Sequence, residues 1–204
     1  MNVRTFYHTM LVIPTVLGLV ALASADDRQP AAVLQEGIDQ GLTLLRDESF
    51  RKTDGRAAQE ARIRELTLTL FDFTVMSHMV LSAHWKHFTG IQQTAFVQAF
   101  TAFLQHTYVP IVIDRYSGEQ VEYVRQVRLS PARARVEVRV VHRGKAIPVN
   151  IKMIRRQGRW RVYDVDALGF SAVANYRAQF EWLLQRETPD QIIERLQRGG
   201  GNLP

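Results

Sequence analysis

Three histidines fall close together, at His78, His84 and His87. The last two are three residues apart, so on a helix both imidazoles could approach one ion, as zinc requires of its ligands. A closed zinc site needs further donors, and none stands at helical spacing. The nearest acid is Asp72, and the chain has no cysteine. No metal site is therefore expected, and His106 and His142 are read as surface residues. Proton transfer is the second chemistry to weigh, since a buried aspartate working with a tyrosine or histidine can serve as an acid or base. Asp72, Asp164 and Tyr123 are the candidates. No nucleophile motif, phosphate-binding loop or paired-carboxylate spacing accompanies them, and Asp164 beside Tyr163 reads equally as a structural strand-end carboxylate. The expectation is a protein without catalytic residues. Arg125 and Arg155 are each in phase with the apolar face of a strand. An inward arginine could meet a phosphate at a cavity mouth or mark where the strand leaves the core.

The apolar residues are more informative. Leu34, Ile38, Leu42 and Leu45 recur at helical spacing after Pro30, predicting a helix over 31–46. A polar stretch over 47–55 reads as a loop. Helical periodicity resumes near Arg56 and runs, densely apolar from Leu66, to Trp85, which predicts a buried helix. Thr89 and Gln92 form a capping box that opens the next helix. Phe96, Phe100, Phe103, Leu104 and Tyr108 share one stripe of it, and Pro110 should end or kink it.

After Gly118 the period changes from 3.6 to 2. Val121, Tyr123, Val127 and Leu129 fall on one face of a first strand, and Val136, Val138 and Val140 alternate with Arg135, Glu137 and Arg139 in a second. Ile147, Val149, Ile151 and Met153 mark a third, and Trp160 and Val162 a fourth that reaches Val165. Short turns between them imply an antiparallel meander. Ser171 and Thr188 then cap two closing helices. The expected fold is α+β, with a four-stranded antiparallel sheet, helices packed on one face as in NTF2-like cones, and an apolar cavity between sheet and helices. Its helices cover about 31–115, its sheet about 119–167 and its C-terminal helices about 171–198.

Residues 1–25 read as a cleavable signal peptide, with Arg4, an apolar run from Met10 to Val20, and Ala23-Ser24-Ala25 ahead of Asp26. Residues 26–204 form one expected domain, and no later stretch is expected to cross a membrane. Of the 26 basic residues only Arg4 leaves with the leader, so 25 face 20 acids, a net charge of +5. Basic and acidic residues are interspersed, unlike a nucleic-acid footprint, whereas a mild attraction to anionic lipid fits. The absence of cysteine excludes disulfide and thiol chemistry.

Two blocks carry a family resemblance. The first holds Phe71-Asp72-Phe73, Met76, Val80-Leu81, Trp85, Thr89, Gln93, Phe96, Phe100, Leu104, Tyr108 and Tyr116. The second runs from Trp160 through Tyr163-Asp164, Gly169, Ser171 and Asn175-Tyr176-Arg177-Ala178-Gln179-Phe180 to Leu184 and Ile193. Their order and spacing resemble the MlaC family, the periplasmic phospholipid-binding proteins of the Gram-negative lipid-asymmetry, or toluene-tolerance, transport system. Ser82 stands where that family usually has glycine. The resemblance implies a monomeric, non-enzymatic periplasmic carrier of phospholipid, without metal or cofactor. It would exchange lipid with an inner-membrane ABC-transporter complex and an outer-membrane lipoprotein complex. The lining expected for the cargo is Phe73, Met76, Val80, Phe96, Phe100, Phe103 and Leu104 from helices, and Val121, Tyr123, Val138, Val140, Val149, Ile151, Trp160 and Val162 from strands. A hopanoid or other apolar terpenoid is an alternative cargo, and an NTF2-like enzyme using a buried aspartate or a solid-core partner-binding domain are alternative functions.

Overall fold

A computed structural model describes residues 29–51 and 55–199, so the expected signal peptide lies outside the described residues. Helix α1 (Pro30–Arg46) is followed by a 3-10 turn (Glu48–Arg51), α2 (Gly55–Leu70), α3 (Phe73–Leu81), a second 3-10 segment (Ser82–His87) and α4 (Gly90–Arg115). Strands β1 (Gln120–Ser130), β2 (Arg133–His142), β3 (Lys145–Arg156), β4 (Arg159–Ala167) and the two-residue β5 (Phe170–Ser171) come next, then α5 (Ala172–Leu184) and α6 (Pro189–Gln197). The sheet is an antiparallel meander in the order β1-β2-β3-β4-β5, one short strand more than the four expected. Three of its hairpins turn through Arg143-Gly144, Gln157-Gly158 and Leu168-Gly169, with both residues of each pair at positive φ. That is the type I′ pattern, whose twist matches the strands it joins, and glycine takes the second position each time.

The single buried helix expected from Arg56 to Trp85 is instead two helices and a 3-10 segment. Continuous apolarity concealed the break at Phe71-Asp72, where the chain bridges to Val162 and the Asp72 amide donates to the Val162 carbonyl at 2.8 Å. Asp72 then caps α3, its Oδ1 accepting from the Val75 amide at 2.9 Å. The helix ends at Ser82, held at φ 48°, ψ −123°. Pro110 does not end α4, which continues to Arg115. By length and composition α4 could also cross a membrane, against expectation, but its phenylalanine stripe is packed inside the protein, with Phe96 and Phe100 fully buried.

Two cores hold the fold together. In the first, α3, α4, α5 and α6 enclose Phe88, Phe96, Phe100, Phe103, Tyr176 and Phe180, whose neighbouring rings lie 5.2–6.4 Å apart between centroids. Edge-to-face and offset rings at this spacing add to the stabilisation from area burial. In the second, Leu34 of α1 lies over Ala134, Val136, Val138, Ile151, Met153, Trp160 and Val162 on one sheet face. The last strand is also covered from behind, where Tyr163 joins the helical core.

Strand β1 does not keep one parity. A bulge between Tyr123 and Arg125 sets Gln126 opposite Val136 and Arg128 opposite Ala134, so beyond it the polar residues face the covered side. Leu129 is left 53% exposed, and Arg125 turns to the open face, where its Nε donates to Glu137 at 2.7 Å. The inward contacts are satisfied. Gln126 accepts from the Ala31 amide at 2.8 Å, and the Arg128 guanidinium stacks 5.2 Å over the Trp160 ring.

Candidate functional site

A cavity of about 860 Å3 opens between the second half of α4, the α2–α3 junction, the ends of β4 and β5, and the first turn of α5. Phe71, Phe73 and Met76 supply one wall, Leu104, Tyr108, Val109 and Val112 a second, and Val165, Ala167, Phe170 and Tyr176 a third. Its polar lining consists of Thr67, Gln105, Ser171 and Asn175, and no lining residue carries a charge. The elements that meet here explain its position. The break at Phe71-Asp72 turns the chain under α4, and the Leu168-Gly169 turn brings Phe170 back beside Ala167.

Hydrogen bonds fix the walls. Gln105 donates to the Arg64 carbonyl at 3.0 Å and to the Thr67 hydroxyl at 2.8 Å, joining α4 to α2. The Tyr108 and Tyr176 hydroxyls lie 2.9 Å apart and join α4 to α5. Burial first, and then the bond to Tyr108, push the Tyr176 phenol well above its usual value, so it remains a neutral donor or acceptor.

A second concavity, of about 900 Å3, lies along α1 and α2, with Glu36, Asp39, Arg62 and Glu65 on its walls. Four charged side chains there would have to be desolvated by an apolar occupant, which makes the uncharged cavity the better candidate site.

The expected lining residues divide among three places. Phe73, Met76 and Leu104 line the cavity. Val80, Phe96, Phe100 and Phe103 are spent on the helical core. Val138, Ile151, Trp160 and Val162 form the core beneath α1, with Val121, Tyr123 and Val149 packed at its margin, and Val140 stands half-buried beyond them. Phe71, Tyr108 and Tyr176 stand in the family blocks but outside the expected lining, and Val109, Val112, Val165, Ala167 and Phe170 were not expected in it at all. Val112 and Phe170 had a legible signal, being apolar yet outside the main stripe. Val165 and Ala167 had none, because their exposure depends on where α1 stops covering the sheet.

The other chemical candidates are not assembled. Asp164 accepts from Lys152 Nζ at 2.8 Å, from the Ser171 hydroxyl at 2.7 Å and from the Val173 amide at 3.1 Å. Burial opposes its ionisation, but the Lys152, Ser171 and Val173 bonds outweigh it and hold the carboxyl below the usual aspartate value. That is the reverse of what a general acid needs. Asp72 is occupied as the α3 cap and lies 3.4 Å from Arg156. Tyr123 is three strands from Asp164 and on the other sheet face. Burial and the Asp39 charge push its phenol up to about 12. The His84 and His87 rings lie 6.2 Å apart, and among the described residues no three metal-donor side chains converge.

Fold and cavity together define a small α+β domain that keeps an apolar, uncharged chamber at the end of its sheet. The chain belongs to the MlaC family, matching the family described as MlaC protein over residues 35–198. Among solved structures it is similar to the phospholipid-binding protein from Ralstonia solanacearum in complex with a phospholipid, with a TM-score of 0.70 at 19% identity. That likeness covers 89% of this chain and 99% of the other. No curated protein sequence matches.

Proposed function

We propose that this protein is a periplasmic, non-enzymatic carrier that holds phospholipid by its acyl chains in the cavity beside α4. The uncharged apolar cavity of about 860 Å3 carries this reading. A methylene occupies about the volume of a water molecule, roughly 30 Å3, so the space accommodates on the order of 30 methylenes, the content of two acyl chains. Left in water, those chains would cost on the order of 20 kcal/mol at ~0.8 kcal/mol per methylene, so a carrier must enclose them. Membership of the MlaC family and the likeness to a protein solved with a phospholipid support the choice of cargo. The leader-like first 25 residues support export to the periplasm. In this reading the protein shuttles lipid between an inner-membrane ABC-transporter complex and an outer-membrane lipoprotein complex. Phe73, Met76 and Leu104 contact the chains together with Tyr108, Val112, Ala167 and Phe170. The lack of any charge on the lining favours a second cargo, an uncharged terpenoid such as a hopanoid, held in the same place.

Native mass spectrometry of the protein expressed in a periplasm, followed by lipid extraction and identification, tests the proposal. A stoichiometric phospholipid supports it, and a terpenoid selects the second cargo. An empty protein that also takes up neither phospholipid nor terpenoid from vesicles refutes both.

A further inference from the structure

The rim of the cavity is apolar on its outside as well. Phe170 is 81% exposed, Leu168 64%, and Tyr108, Val112 and Ile111 42–46%. The sheet extends this rim. Val149 pairs with Ala167 on the cavity wall, and Ile147 stands two residues further out on the same face of β3, itself 41% exposed. The Leu168 amide approaches the Pro148 carbonyl at 3.4 Å, so the β4–β5 turn and the outer end of β3 are neighbours. Immediately beyond Ile147 lies the Arg143-Gly144 hairpin with Lys145, and Arg115 ends α4.

The charges at this end are unequally matched. Glu122 is paired with Arg139 and Asp114 with Arg56, whereas Glu119 and Asp166 accept hydrogen bonds from the Ser117 and Gly169 amides and keep their charge, two acids against the three cations Arg115, Arg143 and Lys145. Arg115, Arg143 and Lys145 have no acidic partner among the described residues. An exposed apolar rim flanked by unmatched cations suits a surface that is apolar within and anionic at its face.

We infer that this rim docks on an anionic lipid bilayer, placing the cavity mouth against the acyl region so that chains pass without crossing water. The inference rests on the carrier reading. Leu168 and Ile147 enter the interface, while Arg143 and Lys145 meet lipid phosphates.

Two double variants avoid the cavity lining: Leu168→Asn with Ile147→Thr, and Arg143→Asn with Lys145→Gln. Asparagine tolerates the left-handed backbone that positions 168 and 143 require. Three quantities are measured for wild type and variants: uptake of a short-chain phospholipid below its micelle concentration, co-sedimentation with vesicles, and lipid extraction from them. The vesicles are either phosphatidylglycerol-containing or purely phosphatidylcholine. Each lost cation should weaken binding to anionic vesicles about fivefold at low salt, so the charge pair loses roughly 25-fold. The apolar pair should lose about tenfold, and extraction should fall in step while short-chain uptake is unchanged. The inference is overturned if vesicle binding ignores both the variants and the anionic lipid. It is also overturned if the wild type takes short-chain lipid but binds no vesicle, an outcome that would assign the rim to a protein partner. A wild type that takes up no short-chain lipid refutes the carrier reading and this proposal with it.

Discussion

Filling the cavity is the most direct test of where the cargo lies. Ala167 sits near the end of β4, half-buried, with its side chain on the cavity wall. Phenylalanine suits a strand, and there is open space for its ring, so Ala167→Phe should leave stability within about 0.5 kcal/mol. The added phenyl group occupies the volume of about four methylenes, roughly 120 Å3 by the same measure, or about a seventh of the space. Four methylenes driven into water cost about 3 kcal/mol at ~0.8 kcal/mol each, a weakening of between 10^2 and 10^3. A chain that reroutes through the open mouth would recover about half, leaving a loss of at least tenfold. Titration with a fluorescent phospholipid and native mass spectrometry measure the loss, with thermal denaturation as the control for folding. A folded Ala167→Phe protein that carries lipid with unaltered affinity would refute the assignment. The cargo would then have to lie elsewhere, under α1 for instance.

The aromatic stripe gives the complementary test: Phe100→Ala should cost about 3–5 kcal/mol of stability, read from urea denaturation, while the variant that remains folded keeps its lipid, because Phe100 is fully buried among other rings. Ser82→Gly should raise stability by about 1–2 kcal/mol, measured by thermal melting, since it relieves a non-glycine residue held at φ 48°. Asp164→Asn should cost about 2–3 kcal/mol at pH 7 by removing a charge-assisted bond to Lys152. Because the native Asp164 carboxyl lies below its unfolded value, its contribution is complete above the ordinary aspartate value of about 3.9 and disappears as pH falls through the native value. Urea midpoints of wild type and Asp164→Asn should therefore converge on acidification, and a gap that stays constant down to pH 2 would rule out this linkage.

Local signals in the sequence found the elements where the cause of the structure is itself local. Thr89 and Thr188 make the capping boxes that their spacing to Gln92 and Gln191 predicts, and Ser171 caps α5. Strands β2 and β3 pair without a break in the period-2 pattern, and the turns at either end of β3 fall at Arg143-Gly144 and Gln157-Gly158. What stayed hidden depends on contacts distant in the chain. The α2–α3 break is stabilised by Val162, some ninety residues away, although Asp72 is a good capping residue in retrospect. The β1 bulge reverses parity because Gln126 and Arg128 find partners in Ala31 and Trp160. The same limit governs the site. Apolarity identifies residues that leave water, and Phe96, Phe100 and Phe103 do so by packing on α5 and α6, as efficiently as a lipid would make them. A cavity is a place where packing stops. Here it stops because α1 covers only part of the sheet face and α4 outruns the helices packed on it, so that Val112 and Ala167 are left facing open space. No residue type encodes that mismatch of lengths, which explains why the family blocks pointed to the right fold while most of the cavity wall came from residues outside the expected set.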